Sequence, residues 1–355
     1  MTRPLPVWGA RLSAAAAALL CALAILYADL ARAQGSVNLY SSRHYDTDEK
    51  LYSGFEEATG IKVNRIEASA DELIERIRNE GRNSPADILI TVDAGRLWRA
   101  EEAGIFAPVE SAVLDSRIPA HLRHPDNLWF AFSQRSRMIF YAKDRVANPP
   151  LTYEALTDPA YKGLVCTRSS SSTYMLSLLA SIIAHDGEDA ARDWAAGVYA
   201  NRARDPEGND TDQLLAIASG QCDIAVVNSY YFARTLRGGV KDLTGDALAN
   251  IGWIFPNQPG PGSDGRGAHM NISGAGMVKN APNPENAVKF LEYLSSDKAQ
   301  EYFAGGNDEF PAVEGVPLPA EVAKLGEFKK DTLNLAALGE FQRMAQQIYD
   351  EVGYK

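Results

Sequence analysis

Five side chains in this 355-residue chain have types and spacing that could do chemistry together. They are the neighbours His44 and Tyr45, then Tyr174, then the neighbours Tyr230 and Tyr231. Each group lies just beyond a short β-prone run: VNLYS, GLVCTRS and CDIAVVNS. A solvated tyrosine has a pKa of about 10, so a phenolate at neutral pH needs a strong cation beside it. Trivalent iron is such a cation. It is hard, prefers anionic oxygen to sulfur, and suits a chain without Cys or Met clusters. Four phenolates and a neutral imidazole around iron(III) sum to a charge of about −1. A nearby guanidinium offsets that excess. Arg234 sits at i+4 from Tyr230 on the same predicted helix, and Arg43, Arg135 and Arg168 are further candidates.

The elements that must position these residues follow a βαβ rhythm. VNLYS reads as a strand. The stretch from Asp46 reads as a helix with Asp46 and Glu49 as a capping box, stopped by Gly60. IKVNRIEA is a strand, SADELIERIRNEG a helix capped by Ser69 and Glu72, ADILITV a strand and AGRLWRAEEAG a helix. This repetition predicts a mostly parallel sheet with helices on both faces. A long β-prone run, Trp129 to Asp144, then breaks the rhythm, and a second α/β set follows. IGWIFPNQ reads as the return crossing and PGPGSDGRG as a flexible connector. Two doubly wound lobes leave a cleft, and ligands in such sheets bind outside the carboxyl ends of the strands. The tyrosines stand at those ends.

Other features narrow the function. Arg3, Arg11, an apolar alanine-rich core and Ala31-Arg32-Ala33 read as a cleavable signal peptide over residues 1–33, which implies export to the periplasm. Removing three arginines and Asp29 takes the net charge from −11 by −3 + 1 to −13, which argues against nucleic acid. Cys166 and Cys222 remain, and export favours a disulfide between them over two buried thiols. Metal motifs of the C-x-x-C or H-E-x-x-H type, the P-loop and G-x-S-x-G are absent. No nucleophile or acid–base pair occurs at useful spacing, so the chain does not read as an enzyme. His121 and His124 lie in a polar loop and read as solvated; His185 and His269 read as structural. Ser169 to Ser172 suits either helix capping or an anion at a helix N-terminus.

NLYSSRHYDTD, TRSSSSTYMLSLLAS, CDIAVVNSYYFAR and HMNISGAGMVKNAPNPENA together resemble the ferric-iron-binding periplasmic proteins of bacterial ABC iron importers, over about Ser36 to Val316. The resemblance is to the tyrosine-rich, anion-independent subgroup. It implies a type II-like periplasmic binding protein with a first lobe of residues 34–133 and 256–310, a second lobe of 134–255, and a helical segment 311–355 packed on the second lobe. It implies iron(III) as cargo, with His44, Tyr45, Tyr174, Tyr230 and Tyr231 as ligands. Arg135 matches a basic position behind the ligands, with Arg137 as the alternative equivalent. The implied partners are the iron ion and an inner-membrane ABC permease, with the protein itself a monomer. Branches that use a Glu ligand with phosphate or carbonate have no clear counterpart here. The alternatives are iron(II), or an organic solute such as a polyamine, thiamine or a phosphonate boxed by the aromatic residues.

Overall fold

A computed structural model describes residues 35–43 and 47–355. The signal-peptide reading, His44, Tyr45 and the proposed Asp46 cap lie outside the described residues.

In chain order the elements used below are β1 (Ser36–Ser41), α1 (Asp48–Thr59), β2 (Lys62–Glu67), α2 (Ala70–Glu80), β3 (Ile88–Val92) and α3 (Ala94–Glu102). Next come β4 (Phe130–Ala142), β5 (Val165–Cys166), α4 (Thr173–Ala200), α5 (Asp210–Ser219), β6 (Ile224–Asn228) and α6 (Ser229–Leu236). The last are β7 (Ile251–Ile254), β8 (Met270–Met277), α7 (Pro284–Leu294), α8 (Asp297–Gly305), β9 (Phe310–Pro311), α9 (Ala336–Glu340) and α10 (Gln342–Glu351). The Ser69–Glu72 capping box forms, and Gly60 ends α1 in the left-handed conformation. Helix α1 begins at Asp48 with Thr47 at its N-cap, whose side chain makes no cap hydrogen bond. No helix among the described residues is long and apolar enough to cross a membrane.

One mixed sheet runs β2-β1-β3-β8-β4-β6-β5, with β7 and β9 paired to β4. The expectation of a mostly parallel sheet is corrected. Only β1–β2, β1–β3 and β5–β6 are parallel, while every pairing of β4 and β8 is antiparallel. The reason is that strands, not helices, carry the chain between the lobes. The first part of the 13-residue β4 pairs with β8 and β9, and its second part pairs with β6 and β7. The run expected to cross back, IGWIF, instead forms β7 against the far end of β4; β8 is the strand that reaches β3.

Period-two alternation divides the second lobe's core. Ile139, Ile224 and Val226 face α4 and α10, while Met138, Phe140, Ala225 and Val227 face α5 and α6. A separate core joins β1–β3 to α1–α3, α7 and α8. Helix α10 lies on α4, but α9 touches both α3 and α4. There Gly339 meets Trp98 so closely that a Cβ would overlap the indole-bearing side chain. The loop expected to be a flexible connector carries ordered contacts: Arg266 pairs with Glu154, Asp186 and Asp264. Cys166 and Cys222 are joined, as expected. The bond spans 56 residues, for which chain-entropy reasoning gives about 4 kcal/mol of stabilisation.

His124 corrects the reading of a solvated loop. It is buried, hydrogen-bonded to Glu101 at 3.0 Å, and set edge-on against Trp129. His269 is buried just before β8, and burial, helped by Arg137 and His185, lowers its pKa to about 3. It stays neutral in the folded chain while an unfolded imidazole titrates near 6.5. Acid therefore favours the unfolded state, because stability falls once pH drops below the unfolded pKa. We expect this one group to remove about 2 kcal/mol between pH 8 and pH 5. Urea unfolding of the wild type and of His269→Asn checks this, the variant showing the shallower pH slope.

Candidate functional site

The parallel pair β5–β6 explains why two distant tyrosines meet. Cys166 is in register with Ala225, so both strands end on the same side of the sheet. Beyond β5 the chain turns through Ser169–Ser172 into α4, whose second residue is Tyr174. Beyond β6 it turns at once into α6, whose second and third residues are Tyr230 and Tyr231. The Tyr174 and Tyr230 hydroxyl oxygens lie 3.2 Å apart. The Tyr230 and Tyr231 rings are 4.3 Å apart between centroids, and both sit at the helix start. Three phenols thus converge at the carboxyl ends of adjacent strands, where α/β sheets hold ligands.

Cations surround them. Arg168, Arg137 and Arg135 place their guanidinium carbons 5.1, 5.8 and 6.0 Å from the Tyr174 ring centroid. Arg234 lies 5.8 Å from Tyr230 and 5.9 Å from Tyr231. Both Arg135 and Arg137 therefore adjoin the site, but they are held differently. Arg137 is locked to Asp210 at 2.6 Å and to Asn228 at 3.1 Å. Arg135 donates to Ser273 at 3.1 Å and faces Glu309 at 3.7 Å. Burial alone would lower its pKa, but Glu309, Tyr174, Tyr230 and Asp93 raise it on balance. Tyr231 is pushed up to about 12, first by burial and then by Tyr174 and Asp210, so it is a neutral phenol at pH 7.

The flanks of the His44–Tyr45 pair approach the same region. Arg43 donates to Asp48 at 2.9 and 3.0 Å and faces Glu309 at 3.8 Å. Thr47 donates to Asn307 at 3.3 Å. Across the lobes, Ser177 of α4 donates to the buried Asp93 at the start of α3, at 2.9 and 3.0 Å. Asp93 holds a left-handed backbone, φ 79°, and also accepts from Asn271 and Gly95. The sequence offers Asp93 as a strand-end residue and, with Glu67, as a carboxylate pair for which it supplies no nucleophile or second acid. Sequence reasoning missed Asp210 and Glu309, which stand in the polar stretches PEGNDTD and GGNDEFP, where nothing signals burial.

A cleft of about 420 Å³ opens beside the phenols, between Arg96 and Arg99 on α3 and Arg168, Ser171, Tyr174 and Tyr231 opposite. A larger groove of about 630 Å³, around Arg204, Asp212 and Asp242, lies away from the tyrosines and is open surface. The serine run does not cap α4 by side chain. Ser172 makes no cap hydrogen bond, and Ser170 instead donates its backbone N–H to the Lys355 carbonyl at 2.8 Å. Among the described residues, no group of three His, Cys, Asp or Glu side chains could hold a metal ion.

Residues 50–330 match the bacterial extracellular solute-binding proteins. The chain belongs to that family. This solute-binding protein is 51% identical, over 330 residues, to iron uptake protein A1 of Synechocystis sp., covering 92% of this chain and 90% of that one. Its fold matches a Trichodesmium structure described as in complex with iron and citrate ligands, with TM-score 0.84 and 50% identity over 90% of this chain and all of that one. A ferric binding protein from Campylobacter jejuni aligns with TM-score 0.81 and 41% identity, again over 90% of this chain and 100% of the other.

Proposed function

We propose that this solute-binding protein captures iron(III) between its lobes in the periplasm and delivers it to an ABC permease. The observation that carries the reading is the 3.2 Å approach of the Tyr174 and Tyr230 hydroxyls at the ends of two adjacent parallel strands, ringed by arginines. Two phenols that close serve one cation well, because each gives up its proton to a shared, highly charged ion. Tyr231 and Tyr45 complete the phenolates and His44 supplies the imidazole. The arginines offset the surplus negative charge of such a shell. The iron-related names of the relatives, and the iron in the Trichodesmium structure, support the same reading.

Binding is coupled to closure. Iron stabilises the state in which ligands from both sides reach it, by its differential affinity for that state. The Asp93–Ser177 contact lies one helical turn past Tyr174. The role is carriage, not turnover. Release follows return of protons to the phenolates, reduction to iron(II), or opening by the permease.

The test is the visible spectrum of the mature protein with one equivalent of ferric citrate. A phenolate-to-iron charge-transfer band is expected in the wild type and is lost in Tyr230→Phe/Tyr231→Phe. A colourless wild type rejects the ferric-phenolate site.

A further inference from the structure

We propose that Glu309 is a positioning residue that sets the preference of this site for trivalent over divalent iron, an inference that rests on the iron reading above. Glu309 lies between α8 and β9 and is 1% exposed. Its carboxylate accepts from Ser133 at 2.5 Å and faces two buried guanidiniums, Arg43 at 3.8 Å and Arg135 at 3.7 Å. Arg43 immediately precedes His44 and Tyr45, and Arg135 looks onto Tyr174. One carboxylate therefore joins the arginine beside Tyr174 to the arginine that precedes His44 and Tyr45 in the chain. Its neighbour Asp308 pairs with Arg237 at 2.8 Å, at the end of the helix that carries Tyr230 and Tyr231.

The charge argument is direct. Arg43 and Arg135 place positive charge near a site meant for a cation, and the Glu309 carboxylate faces both. Replacing Glu309 by a neutral residue makes this cluster one unit more positive. That charge repels any bound metal, and it repels the 3+ ion more than the 2+ ion by one further unit of Coulomb energy. In a buried cluster the difference survives salt. A Glu that only supported packing would lower both affinities together.

The experiment compares wild type, Glu309→Gln and Glu309→Asp. Ferric affinity is read by competition with citrate and ferrous affinity by anaerobic titration with ferrous sulfate. Glu309→Gln is expected to lower the ferric-to-ferrous affinity ratio about tenfold, from one charge at interior-like screening. Glu309→Asp keeps the charge and is expected to hold the ratio near that of the wild type. A Gln variant with both affinities unchanged, or lowered by the same factor, overturns the proposal. If that variant does not fold, Arg135→Gln carries the test with opposite sign: removing a positive charge must raise the ratio, and no rise overturns it. A wild type that binds no ferric iron rejects the functional reading itself, whereas a ferric-binding wild type with an unmoved ratio rejects this inference alone.

Discussion

Tyr174→Phe should weaken ferric binding by more than about a hundredfold, since even the groups behind a metal ligand cost ten- to a hundredfold when removed. The substitution deletes one oxygen and keeps the ring, so packing against Arg168 and Arg137 survives. The loss then reports coordination. It also leaves Tyr230 without the hydroxyl 3.2 Å away, which in the apo protein is a minor change because either atom could donate. Thermal unfolding of the apo variant should therefore match the wild type closely, while citrate competition shows the full drop. An apo protein as destabilised as the holo site is weakened would make Tyr174 a packing residue and remove it from the ligand set.

Asp210→Ala is expected to cost about 3–5 kcal/mol of folding stability, the usual penalty for leaving a buried charge without its partner. Asp210 is fully buried at the first residue of α5. One of its oxygens accepts from Arg137 at 2.6 Å and from the Asn228 backbone N–H at 2.8 Å; the other lies 3.6 Å from Arg168. Removing the carboxylate strands Arg137, which is 1% exposed. It also frees Asn228, the residue from which the Tyr230 helix starts. Urea unfolding measures the loss. Pairing the change with Arg137→Met should restore part of it, because an apolar replacement of both partners avoids the orphaned charge. Full additivity of the two substitutions would show that the pair is not coupled.

The parts legible in the sequence are those that depend on short spacing. The Ser69–Glu72 cap, the strand–turn–helix units and the tyrosines at strand ends are all local patterns. The meeting of Tyr174 with Tyr230 followed from the rule about strand carboxyl ends, not from any motif. The parts that were not legible are long-range pairings of charge. Arg137 and Asp210 are 73 residues apart, and Ser133 and Glu309 are 176 apart. Nothing in the local text of an arginine says which acid will neutralise it. Strand direction failed for a related reason. Alternating helices and strands predict parallel neighbours, but β4 and β8 cross between lobes and meet their neighbours head to tail. His124 was misread because a polar neighbourhood in sequence does not reveal that Trp129 and Glu101 will enclose it.

The Cys166–Cys222 bond lies where reagents in solution do not reach it, with the two residues 1% and 3% exposed under α5 and β6. It must form before that wall is finished, so it records where the chain folded. A chain that folds after export meets oxidant while still open and carries the cross-link for life, beyond the reach of a later reductant. A chain that folds in a reducing cytoplasm seals two thiols inside, and oxidising it afterwards requires opening it again. For this protein, the route of production is therefore written into the finished molecule.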